Sequence, residues 1–198
     1  MQLKVNDAPV DITLEDEKTV GDFLKSFEEA IEKEDATTTG IVLDGKSISA
    51  DEIDAIQDKP LEESTSIELT VISKPQIIES FRGDIASLTD LSKKLGEISV
   101  LIQSGKDGEA FSIINSLANE MANFVRNARL SALFPDVYEK ITVDGKDLNT
   151  FFEDFSVILK EFEQALSEKD TVTVGDLAEY EINPRLQQII ESLDKCCQ

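Results

Sequence analysis

"TVGDFLKSFEEAIEKED" (19–35) decides the N-terminal architecture. Val20, Phe23, Leu24, Phe27, Ala30 and Ile31 recur at helical spacing behind Thr19, whose hydroxyl suits an N-cap, so the stretch predicts one amphipathic helix. On both sides the apolar period falls to two. "QLKV" (2–5) and "VDITL" (10–14) precede the helix, and "GIVLDGKSI" (40–48) and "SIELTVI" (66–72) follow it. Asn6-Asp7 and Asp44-Gly45 supply residues that tolerate positive φ, as tight hairpins require. The predicted order is strand, strand, helix, strand, strand, strand.

That order is the β-grasp, and the segment resembles the ubiquitin-like family in more than order. "ITLEDEKTVGDFLKSF" (12–27) resembles ubiquitin's second strand entering its helix, "IVLDGKSI" (41–48) its middle hairpin, and "PLEESTSIELTVI" (60–72) its last turn and strand. The resemblance implies a β-grasp domain over residues 1–74. A conjugated modifier of that family ends in a free Gly-Gly tail, whereas here "SKPQ" (73–76) leads into a further helix. The implied role is a built-in module, not a transferable tag.

After Pro75 the period becomes helical in four runs. The first carries Ile78, Phe81, Ile85, Leu88, Leu91, Leu95, Ile98 and Leu101; "SGKDGE" (104–109) breaks it. The second carries Phe111, Ile114, Leu117, Met121, Phe124, Val125 and Ala128, and "LFPD" (133–136) ends it. The third carries Leu148, Phe151, Phe152, Phe155, Ile158, Leu159, Phe162 and Leu166; the fourth runs from Lys169-Asp170 to Leu193. The expected fold class is therefore α+β: a β-grasp domain (1–74) followed by an antiparallel four-helix bundle (76–198). "ITVDGKDL" (141–148) reads as a small hairpin, and the repeated "TVGD" (19–22, 173–176) as two helix starts.

Composition bounds the chemistry. The 198 residues include 41 acidic and 19 basic side chains, a net charge of -22, which disfavours nucleic acid and anionic membrane as partners. No apolar stretch is long enough to span a bilayer, and "MQLKVND" does not read as a leader, so the expected compartment is the cytoplasm. Histidine is absent, which removes Ser-His and Cys-His pairs and imidazole metal sites. Phosphate-binding glycine loops and hydrolase elbows are absent too, and no cofactor is expected. Cys196 and Cys197 are adjacent and read as free thiols, since a bridge between neighbours is strained.

"GDLAEYEINPRL" (175–186) carries the sharpest candidates. At 100° per residue Val174, Leu177, Ala178 and Glu181 share a face, and Pro184 should kink the helix because it offers no N–H to Tyr180. An inward Glu181 needs a partner. Arg126 and Arg129 share a face of the second helix, so the expectation is a structural polar cluster of Arg126, Arg129, Asp176, Glu179, Tyr180 and Glu181. The alternative is a divalent-metal enzyme using Asp176, Glu179 and Glu181, as in the all-helical nucleotide pyrophosphatases. Of that family's paired Glu-x-x-Glu and Glu-x-x-Asp pattern, only Asp176-x-x-Glu179 comes close. A second feature is Asn115, Asn119, Asn123 and Asn127 at four-residue steps, an uncharged ridge read either as covered by a neighbour or as binding an extended peptide. Together these features favour a non-enzymatic protein- or peptide-binding adaptor, scaffold or small chaperone, similar in character to the helical export chaperones of flagellar and type III systems. A structural homodimer is a further alternative.

Overall fold

The computed structural model describes residues 1–198. The chain divides into two compact units, Met1–Gln76 and Ile77–Gln198. In the first, β1 (Gln2–Val5) and β2 (Ala8–Val10) form a hairpin, then come α1 (Val20–Glu32), the hairpin β3 (Ala36–Leu43) and β4 (Lys46–Ile48), and β5 (Ser66–Ser73). The sheet is mixed, in the order β2-β1-β5-β3-β4, with β5 parallel to β1 and antiparallel to β3. Both hairpins turn through positive φ, at Asn6 (50°) and Asp7 (65°) and at Asp44 (50°) and Gly45 (80°). The strand expected over 10–14 stops at Val10. Val10 pairs Leu3, and the β1–β2 register extends no further than that pair.

Thr19 caps α1 as its sequence suggests: its hydroxyl accepts from Asp22 N at 3.1 Å, and the Asp22 carboxylate accepts from Thr19 N at 3.0 Å. Val20 and Gly21 donate their N–H groups to Lys59 and Gln57, which follow a one-turn helix α2 (Ile53–Ile56) that the apolar pattern did not reveal. A Cβ on Gly21 would sit 2.9 Å from the Gln57 carbonyl oxygen. Leu3, Val20, Phe23, Leu43, Ile67 and Leu69 make the core, joining α1 to the sheet. Each such side chain contributes roughly 1.5–3 kcal/mol on burial.

The second unit is helical: α3 (Lys74–Leu95, beginning at the end of the first unit), α4 (Ile98–Gln103), α5 (Asp107–Ser131), α6 (Pro135–Tyr138), α7 (Leu148–Glu168), α8 (Thr171–Asp176), a π-helical segment (Leu177–Ile182) and α9 (Asn183–Cys196). The run expected to continue from Ile78 to Leu101 is divided at Gly96-Glu97, although α3 carries Gly83 in its interior without a break. Three contacts give the long helices their neighbours. Asp84 of α3 meets Asn127 of α5, Phe124 of α5 meets Phe152 of α7, and Ser92 of α3 meets Asn183 and Gln187 of α9. Val143 and Lys146 exchange backbone hydrogen bonds of 2.9 and 3.0 Å around Asp144-Gly145, which makes 141–148 a minimal hairpin with Ile141 and Val143 buried.

The second "TVGD" lies inside a helix. Asp170 is the N-cap there, accepting from Thr173 N at 3.1 Å. Gly175 instead marks close packing, because a Cβ on it would collide with Ser99 Oγ of α4. Downstream, the change of phase expected from Pro184 is made by the π turn just before it. Asn183 N donates to Ala178 O, five residues back, and Pro184 sits in the first turn of α9 where its missing N–H costs least. No helix is long and apolar enough to cross a membrane.

Candidate functional site

The π turn removes the expected polar cluster. Widening one turn moves the inward position on by one residue, from Glu181 to Ile182, which is fully buried. Glu181 is left half-buried at the helix edge, where Arg185, four residues on, donates to its carboxylate at 2.6 Å and its carbonyl at 2.8 Å. Arg126 and Arg129 do not reach it. Asp176 and Glu179 are exposed, and so is Tyr180 at 65%, its phenol pushed up by the neighbouring Glu179 carboxylate. No group of three or more acidic or cysteine side chains is arranged to hold a metal ion.

The asparagine ridge also separates. A four-residue step advances about 40° around an α-helix, so the row winds from one side of α5 to another. Asn115 and Asn119 are exposed, Asn123 is half-buried, and Asn127 is buried. Asn127 Nδ2 donates to both oxygens of buried Asp84, at 3.1 and 2.9 Å. Burial pushes the Asp84 carboxyl above its ordinary range, helped by Glu120, while Asn127 and Arg126 pull the other way. The last asparagine is thus an internal fastener between α3 and α5.

The structure brings together something else. Residues 121–132 of α5 and 148–159 of α7 border an open groove of about 1160 Å³. Half-buried Val125, Phe152 and Leu159 give it apolar surface, and Phe152 is held by Phe124 at a ring separation of 5.6 Å. Its charged lining side chains are Arg126, Arg129 and Glu153, two cations against one anion in a chain with twice as many acids as bases. Neither arginine makes an ion pair; Arg126 has only a 3.4 Å bond to Asn123 Oδ1. Phe152 and Leu159 were legible as members of the third run, but not as its exposed edge. The usable signal is the doublets Phe151-Phe152 and Ile158-Leu159, which widen the stripe beyond what one neighbour covers.

A second groove, about 750 Å³, lies beside α1 in the first unit. Two of its three acidic groups are already engaged: Glu28 accepts from Thr37 and Thr38, and Asp22 completes the capping box of α1. At the other end of the chain, burial pushes both the Cys196 and Cys197 thiols up, away from the thiolate form that redox chemistry needs.

Comparison with known proteins gives two family matches. Residues 1–73 match the model described as the TP0873 N-terminal domain, and residues 85–192, which include the whole α5–α7 groove, match the model described as a domain of unknown function, DUF8042. A protein of Treponema pallidum (strain Nichols), titled only as uncharacterized, is 27% identical over 193 residues, covering 98% of this chain and 96% of the relative. No solved structure matches the chain significantly.

Proposed function

We propose, from the premise that this chain belongs to the DUF8042 family, a non-enzymatic cytoplasmic protein-binding adaptor or small chaperone that docks its partner in the α5–α7 groove. The observation that carries this reading is the groove itself: apolar surface at Val125, Phe152 and Leu159, left open between two helices and edged by two guanidinium groups without carboxylate partners. Open apolar surface bounded by polar groups is what protein docking sites offer, with aromatic and arginine side chains as their usual anchors. On this reading the Asn115, Asn119 and Asn123 ridge is at most the groove's flank, because Asn127 is spent on Asp84.

We further infer a ubiquitin-like β-grasp for the first unit and an up-down four-helix bundle for the second. The central parallel β1/β5 pair flanked by two hairpins supports the first inference. The succession of contacts from α3 to α5, α5 to α7 and α7 to α8, with α9 returning to α3, supports the second. The bundle supplies the rigid wall on which the groove depends.

The test is photocrosslinking in cells from a benzoylphenylalanine at position 152, with position 191 on exposed α9 surface as the control. The crosslinked partner, once purified, should bind the intact chain, and Phe152→Asp should abolish that binding while circular dichroism stays unchanged. Equal crosslinking from both positions, or binding indifferent to Phe152→Asp, would remove the groove from the function.

A further inference from the structure

We infer that the occupant of the α5–α7 groove is an acidic amphipathic helix of about three turns, contributed by a different protein; this rests on the docking role proposed above. Four features fix the occupant's chemistry.

Length comes first. The lining of the groove is spread over positions 121–132 and 148–159, which at 1.5 Å per residue is about 17 Å of wall, enough for about three turns of a third helix.

The second feature is the poverty of hydrogen-bonding groups along that wall. Apart from the two arginines, its polar side chains are Tyr138, Asn149, Glu153 and Ser156. An extended segment would bring one N–H and one C=O per residue and leave most of them unmet, whereas a helix satisfies its own backbone and presents only side chains.

Charge is the third. Arg126 and Arg129 stand one helical turn apart in the lining; Arg126 has a 3.4 Å bond to Asn123 and acts on Asp84 through its charge, and neither fork is closed by a carboxylate ion pair. Carboxylates at i and i+4 on an incoming helix match that spacing beside an apolar stripe.

The fourth feature excludes a second copy of this chain as the occupant. A two-fold axis running across the groove would set these arginines against their own counterparts, and any two copies, each of net charge -22, repel on approach. Arginine facing arginine would meet the wrong sign, and the approach would be repelled at long range.

The experiment uses the full-length chain and three synthetic helical peptides of about fourteen residues. All share one leucine stripe at i, i+3, i+4 and i+7 and differ only at two flanking positions four apart, which are Glu, Gln or Lys. The chain's overall charge favours the Lys peptide everywhere on its surface, so a preference for Glu must come from the groove. Titration calorimetry should give the Glu peptide an affinity about tenfold above the Gln peptide, with the Lys peptide weakest. In the double variant Arg126→Glu/Arg129→Glu the order should invert, with an unchanged circular dichroism spectrum showing that the fold survives. Equal binding of all three peptides, abolished by Phe152→Asp, overturns the acidic assignment and leaves the docking groove intact. Failure of every peptide to bind overturns both. Light scattering that finds a dimer which the Glu peptide cannot dissociate assigns the groove to a second copy instead, and overturns the inference.

Discussion

Asp84 is 5% exposed, and its side-chain hydrogen-bond partner is Asn127, 43 residues away on α5. Its carboxyl is raised chiefly by desolvation, so the folded state holds a proton that the unfolded chain has already released. Between the ordinary aspartate pKa near 4 and the raised folded value, stability therefore falls as pH rises, and above the folded value the loss is complete. Other acids act in the opposite sense; Glu52, pulled down from 4.5 to about 2 by Lys46, lends stability that is lost progressively as pH falls between those two values. The Asp84 contribution is thus best read as a difference between variants. Asn127→Ala leaves a buried carboxylate without its donor, and should cost about 1–3 kcal/mol at pH 7 by urea denaturation. It should cost less at about pH 3, below the ordinary aspartate pKa, where the carboxyl is protonated in both states. Asp84→Asn should gain on the wild type as pH rises from 3.5 to about 7. A gap that is flat or shrinks with pH would show that Asp84 is ionised without penalty.

At the scale of elements, the buried positions Val174, Ala178, Ile182, Leu186, Ile189 and Leu193 step by four, four, four, three and four. An α-helix holding one buried face alternates threes and fours, so this helix contains one residue too many, and the π turn over Leu177–Ile182 absorbs it. Deleting exposed Tyr180 restores the alternation, and should leave cooperative thermal unfolding and change stability by no more than about 1 kcal/mol. Deleting Glu161 from α7, which has no surplus to absorb, should rotate Phe162 and Ala165 off the core and abolish cooperative unfolding. Gly175→Ala has a different cause and a larger cost. Its new methyl collides with Ser99 on a neighbouring helix and should destabilise by about 1–3 kcal/mol, with Ser99→Gly in the same chain recovering part of it. Much of the N-terminal fold was legible because its determinants are local: the Thr19–Asp22 capping box and the positive-φ pairs at 6–7 and 44–45 are written in adjacent residues. The π turn was not legible in that way. A period of 3.6 applied past Ala178 turns Glu181 inward, and the polar cluster predicted around it inherited that error. The asparagine row shows the same limit, since its even spacing looked like a ridge until 40° steps carried Asn127 into the core.

Across the whole molecule, the charge of -22 sets a long-range field that no single contact reveals. Most of its ion pairs are exposed, as at Lys4–Glu68 and Lys46–Glu52, and they leave a large surplus of unpaired carboxylates. Self-repulsion of this kind destabilises the compact state, so added sodium chloride should raise the melting temperature. The field also opposes the partner inferred for the groove, and this separates two electrostatic scales. The Debye length is about 30 Å at 0.01 M salt and about 8 Å at 0.15 M. At the lower concentration an acidic helix meets the repulsion of the whole chain before it meets Arg126 and Arg129; at the higher, only the local guanidinium groups remain within range. The association rate of the Glu peptide, followed by stopped-flow fluorescence, should therefore rise as salt is raised from about 10 to 150 mM, the reverse of ordinary electrostatic steering. Its dissociation rate should rise as well, because the close ion pairs weaken. If the association rate falls with salt instead, the groove's local field dominates the encounter even at long range, and the surplus charge must lie on faces turned away from α5 and α7.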